Sequence, residues 1–158
     1  MPNKFTPYAV VTTKTKYPSS IGDIAEAASG IAGGTYPETE QWQGRGDAMR
    51  HLVWQALMAK RYGDTLANAA GQYHELPLGA ALRAADFDQT PVEKAQDLYN
   101  NALGREIASK SKNIEDIYNL AKQYVETGKA KFLTPAELEY QANLEEAKNQ
   151  VEQKNTPY

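Results

Sequence analysis

Residues 46–75 read GDAMRHLVWQALMAKRYGDTLANAAGQYHE, and this stretch decides the fold. At about 100° per residue, Ala48, Met49, Leu52, Val53 and Ala56 share one side of a helix from about Asp47 to Tyr62. Asp47, Arg50, His51, Trp54 and Met58 share the other. Such a helix belongs inside a bundle, packed on both sides, with its polar groups turned inward. Gly63 stops it, and Asp64 caps a second helix that runs to about Leu76 before Pro77. There Ala67, Ala70, Gly71 and His74 fall at i, i+3, i+4 and i+7, a stripe small enough for another backbone to approach closely.

Outward from this centre the punctuation is regular. Residues 1–19 form an extended arm, with Pro2, Pro7 and Pro18 around the β-prone run Tyr8–Thr13. Ser20, with Asp23 in capping-box spacing, opens a short helix from Ile21 to Ser29, closed by Gly30, Gly33 and Gly34. A loop follows to residue 46, and its Arg45-Gly46-Asp47 triplet reads as incidental rather than as an integrin ligand. Residues 76–89 read as a loop or a short helix. Thr90-Pro91-Val92-Glu93 starts a helix to about Lys110. Its apolar side is Val92, Ala95, Leu98, Tyr99, Ala102 and Leu103; Glu93, Asp97, Asn100, Asn101, Gly104 and Ala108 fall opposite. Ile114, Ile117, Tyr118, Ala121 and Val125 mark the next helix, which ends at Gly128. Thr134-Pro135-Ala136-Glu137 opens the last, whose narrow seam of Tyr140, Leu144, Ala147 and Val151 places it outside the core or against a partner. The lysines at 110, 112, 129 and 131, with Arg105 and Glu106, read as solvated surface. The expected fold is all-α: a single-domain bundle of about five helices with an extended N-terminal arm. The divisions are an arm at 1–19, a helical core at 20–132 and a peripheral helix and tail at 133–158.

Composition narrows the partners. A chain of 158 residues is one domain by length. At net charge −3, with its cations scattered among acids, it shows no basic face, so no nucleic-acid partner is expected. The absence of cysteine removes disulfides, thiolate metal sites and cysteine nucleophiles together. No signal peptide and no membrane span are read, so the expectation is a soluble protein of the producing cell's cytoplasm.

Three helices carry polar stripes that together supply Asp47, Arg50, His51, His74, Glu75, Asp97, Asn100 and Asn101. Burying such groups costs kilocalories each unless they pair or bind something. One reading is a divalent metal, zinc or iron(II), held by His51, His74 and a carboxylate, Asp97 or Glu75. The histidines lack HExxH spacing. A second reading is metal-free acid–base chemistry at Glu75 or a histidine, with Arg50 binding an anionic group and the asparagines orienting it. The third is a buried network that fixes helix register. Trp54 reads first as a core anchor and second as a substrate platform, and Arg105 is near enough to reach the asparagine pair.

The order Gly46-Asp47-Ala48-x-Arg50-His51-x-x-Trp54-x-x-Leu57, then Gly63, then His74-Glu75, then Asp97-Leu98-x-Asn100-Asn101-x-x-Gly104-Arg105-x-Ile107 resembles a little-characterised helical family of bacterial and phage proteins. In that family it is often a terminal module of large secreted or wall-associated proteins. The resemblance covers about residues 44–108. It brings no substrate, and it implies that Arg50, His51, Trp54, His74, Glu75, Asp97, Asn100, Asn101 and Gly104 form one constellation. A looser analogy runs to helical zinc-dependent phospholipases and nucleases, whose multiple histidine motifs are absent here. The expected function is a hydrolase acting on a phosphate- or carboxylate-bearing substrate. His51, His74, Glu75 and Asp97 are its catalytic candidates, and Arg50, Trp54, Asn100, Asn101 and Arg105 its substrate-binding ones. The alternative is a non-enzymatic interaction protein, such as a phage virion component, that pairs with a protein partner or a second copy through its C-terminal helix and N-terminal arm.

Overall fold

The structure, a computed structural model, describes residues 17–74 and 91–155, without the side chains of His74 and Asn155. Among them every α-helix and turn fits an all-α architecture: α1 Ile21–Thr35, a 3-10 turn Glu38–Glu40, α2 Arg45–Tyr62, α3 Asp64–His74, α4 Pro91–Lys110, α5 Ile114–Glu126 and α6 Pro135–Asn155. The residues expected to form the N-terminal arm lie outside the described ones up to residue 16, as do the 76–89 segment and Glu75.

Helix α2 is the axis, touching α1, α3, α4 and α5. Met49, Leu52, Val53, Ala56 and Leu57 are fully buried on it, as is Gln55, and Asp47 and His51 are buried. Burying each large apolar side chain contributes about 1.5–3 kcal/mol. Gly63, at φ 89°, ends α2, with its N–H on the Ala59 carbonyl. The integrin-like triplet is the first turn of this helix, with Asp47 buried.

Local start signals hold. Ser20 accepts a hydrogen bond from the Asp23 N–H at 3.1 Å. Thr134 and Glu137 bond reciprocally at 2.7 and 3.3 Å. The glycines of α1 do not act as expected. Instead of stopping at Ser29, the helix runs through Gly30, Gly33 and Gly34 to Thr35. Ile24, Ala28, Ile31 and Ala32 are buried, and α1 packs on α2. That packing outweighs the roughly 1 kcal/mol a mid-helix glycine costs.

The faces of α4 are also a correction. Much of the expected apolar side looks outward: Leu103 from that side is buried, but Val92 is 68 % and Tyr99 42 % exposed. With Ala95 and the Lys131 ammonium, 5.5 Å from the Tyr99 ring centre, they line a shallow surface depression. The buried side is Asn100, Asn101, Leu103, Gly104, Ile107 and Ala108. Gly104 is the reason, because a Cβ there would stand 2.6 Å from the Leu52 carbonyl oxygen and 2.7 Å from Gln55 Cβ. With no Cβ, α4 presses its backbone onto α2 and turns its amides, not its largest apolar groups, inward.

Glu106 is likewise more than solvated surface. It accepts from Lys110 at 2.6 Å, Lys129 at 2.7 Å and the Tyr124 hydroxyl at 2.8 Å. These hydrogen bonds hold its carboxyl well below the usual range, at about 2. The cluster ties α4 to α5 and to the chain after it. Helix α6 lies outside the core, and its Tyr140, Leu144 and Val151 are exposed.

Candidate functional site

Asp47, His51 and Gln55 recur every fourth residue on α2; Asp97, Asn101 and Arg105 do the same on α4. The two rows face each other across the Gly104 approach. His51 Nε2 lies 3.3 Å from Asp97 Oδ1, and His51 Nδ1 lies 2.9 Å from Asn101 Oδ1. One turn on, Arg105 donates to Gln55 Oε1 at 3.1 Å, and Gln55 donates onward to the Ala67 carbonyl at 3.0 Å. Helix α3 completes the ladder: Ala67 is fully buried, and a Cβ on Gly71 would meet Gln55 Nε2 at 2.8 Å and Asn101 Nδ2 at 3.1 Å. The small stripe therefore does sit at a close crossing, against amide side chains rather than backbone.

The head of the ladder is different in chemistry from its foot. Asp47 Oδ1 lies 3.7 Å from His51 Nε2, so one ring nitrogen faces two carboxylates. The imidazole is 6 % and Asp47 8 % exposed. Asn101 accepts at Nδ1, which makes that nitrogen an N–H and turns Nε2 toward the acids. Asp47 is itself held: its Oδ2 accepts the Gln43 backbone N–H at 2.9 Å, and its Oδ1 meets the Arg50 guanidinium. Gln43 sits at φ 56°, left-handed for a non-glycine residue. Strain of this kind, about 1–3 kcal/mol, concentrates at functional sites.

The turn before α2 keeps this head in place. Gln41 donates to the Tyr36 carbonyl at 2.9 Å, and Arg45 grips Glu40 through two bonds of 2.5 and 2.7 Å. Those bonds hold the Glu40 carboxyl below its ordinary range. Arg45 also lies 4.9 Å over the Tyr36 ring, whose phenol burial pushes up to about 12.

Of the residues expected to converge, the structure brings together Arg50, His51, Asp97 and Asn101. Asn100 is set apart. Its amide donates to the Lys131 carbonyl at 2.7 Å and accepts the Lys131 N–H at 2.8 Å, so it clamps a loop. Adjacent helical residues diverge by about 100°, and Asn100 and Asn101 serve opposite ends of that angle. Arg105 reaches Gln55 and, at 3.6 Å, Asp64, not the acidic head. Trp54 packs against the core. Glu75 and the His74 side chain lie outside the described residues. The sequence puts Asp47 on a polar stripe but gives it no role in the site, and it leaves Gln55 out altogether. The signal was present in the i, i+4, i+8 row Asp47-His51-Gln55.

The fold and this head define an all-α protein with a buried imidazole between carboxylates and an amide. The chain belongs to the family described as Domain of unknown function (DUF6973), whose model matches residues 9–130. Helix α6 lies beyond that match. No curated protein and no solved structure matches the chain.

Proposed function

We propose that the chain is a hydrolase acting on a phosphate- or carboxylate-bearing substrate, with its reaction centre at His51. The observation that carries this reading is the pairing of His51 Nδ1 with Asn101 at 2.9 Å while Nε2 faces Asp97 at 3.3 Å and Asp47 at 3.7 Å. A ring so held presents one basic nitrogen in one orientation, which is what a general base requires. The attacking water gives its proton to Nε2 as its oxygen bonds to the electrophilic phosphorus or carbon. The leaving oxygen then departs with that proton. Asp97 orients the imidazole and stabilises its positive charge. Arg50, whose side chain is about one-third exposed, uses two of its five N–H donors on Asp47 and the Gln41 carbonyl. It is placed to steady an anionic group beside the ring.

The test is a turnover screen of the purified chain on p-nitrophenyl phosphate mono- and diesters and carboxylate-bearing esters. His51→Ala should reduce any activity found by about 10²–10⁴-fold, the usual share of a general base, while the circular dichroism stays helical. No turnover, or equal turnover in both proteins, would overturn the reading.

A second reading is favoured by one observation, the exposed seam Tyr140, Leu144 and Val151 on a helix that lies off the core. In that reading the chain is an interaction protein, such as a virion component, and the His51 network only sets the register of α2 and α4.

A further inference from the structure

We propose that Asp47, His51 and Asp97 bind one divalent metal ion, of the Zn²⁺ or Mn²⁺ type, with Asn101 as the positioning residue behind the imidazole. The inference deepens the hydrolase reading at the same site and rests on it for its purpose, not for its geometry: with Nε2 on the ion, His51 would serve as a ligand instead of the base, and the ion would lower the pKa of the attacking water in its place. Asp47 is the ligand that pattern and spacing did not assign.

Three observations carry it. One ligand atom from each of Asp47, His51 and Asp97 lies within 4.8 Å of the others. The two separations from Nε2, 3.3 and 3.7 Å, are long for charge-assisted hydrogen bonds of about 2.7–2.9 Å. They are near the edges of a coordination sphere: bonds of about 2.0–2.2 Å set tetrahedral ligands roughly 3.3–3.6 Å apart, so the longer separation needs only a small closure around an ion.

The second observation is independent of the acids. Asn101 is 1 % exposed, accepts at His51 Nδ1, and keeps its Nδ2 without a hydrogen-bond partner among the described residues. An orphaned buried N–H group is a cost to the fold. The orientation that accepts this cost is the one that makes Nδ1 the donor and turns Nε2 toward the acids. Metal-bound imidazoles are fixed this way, through the second nitrogen on an oxygen acceptor.

The third is the hold on Asp47. Its Oδ2 takes the Gln43 N–H and its Oδ1 the Arg50 guanidinium, as ligating carboxylates are commonly braced from outside. A carboxylate has about four lone-pair directions, so these bonds leave room for a metal. Two carboxylates with one imidazole select a borderline ion. Imidazole suits zinc and carboxylates suit manganese, whereas an all-oxygen set would suit magnesium or calcium.

The experiment titrates EDTA-stripped, full-length chain with Zn²⁺, Mn²⁺, Mg²⁺ and Ca²⁺ by calorimetry, with the fold monitored by circular dichroism. One ion of Zn²⁺ or Mn²⁺ per chain should bind, with Mg²⁺ and Ca²⁺ much weaker. Asp97→Asn should abolish that site, and the distant surface variant Glu146→Gln should keep it. Asn101→Leu should weaken binding about 10–100-fold, and Asn101→Asp, which retains the acceptor oxygen, should restore it. Absence of stoichiometric binding to the folded wild type, or equal binding by Asp97→Asn, overturns the proposal. Failure of Asn101→Asp to rescue would mean that Asn101 donates to the ring, and that too overturns it. The same preparations separate the two claims. Turnover that survives EDTA keeps the hydrolase reading and removes the metal, whereas binding without turnover keeps the metal and removes the hydrolase.

Discussion

Tyr36 carries a hydroxyl that finds no hydrogen-bond partner among the described residues, although the ring is almost fully buried. Its value to the fold is the ring, on which Arg45 stacks at 4.9 Å. Tyr36→Phe keeps that contact and removes an orphan worth about 1–3 kcal/mol. The melting temperature should rise, by roughly 2–4 °C for each kcal/mol in a domain of this size. A lower melting point would show that the hydroxyl is paired. Gly104 gives the opposite sign. A methyl there meets the Leu52 carbonyl oxygen, which is backbone and cannot rotate away. Gly104→Ala should destabilise by about 1–3 kcal/mol in a urea or thermal melt. It should also separate His51 from Asn101 and Asp97, so the loss of metal binding should exceed what the stability change alone produces.

At the scale of elements, the same residue type behaves differently because its surroundings do. Gly30 and Gly33 lie inside α1 with nothing within 4 Å of an added Cβ. Each should therefore gain about 0.5–1 kcal/mol on substitution by alanine, checked by melts of the single and double variants. What was legible in the sequence follows from this contrast. Caps at Ser20, Thr134 and Glu137 were readable because their hydrogen bonds are local. The end of α1 was not, because a buried stripe on a neighbouring helix decides it. The inward face of α4 was half legible. The polar row Asp97-Asn101 turns inward as its spacing implies, but Val92 and Tyr99, on the expected apolar side, face outward while α4 packs on α2 through Gly104. Asn100 could not be told from Asn101 by composition. Only the position of Lys131, 31 residues later, separates a loop clamp from a site residue.

For the whole molecule, the Glu106 cluster makes acid stability a measurable property. The Glu106 carboxyl sits at about 2 in the folded chain against 4.5 ordinarily, held first by the Lys110 hydrogen bond and then by Lys129 and Tyr124. A depressed folded value contributes stability that is complete above about 4.5 and is lost as the pH falls towards 2. Glu106→Gln should lower the melting point at neutral pH and narrow the gap to the wild type below pH 4. Parallel melting curves across that window would contradict the assignment. The central claim concerns the head of the ladder: it is built to bind and react, not to stabilise. In the metal-free chain two carboxylates crowd one imidazole, and working sites of this kind carry a stability cost. The most direct measurement is the melting temperature of Asp97→Asn against wild type, both in EDTA. The account predicts that the variant melts no lower than wild type. A fall of several degrees would mark Asp97 as a structural partner of His51 and contradict it.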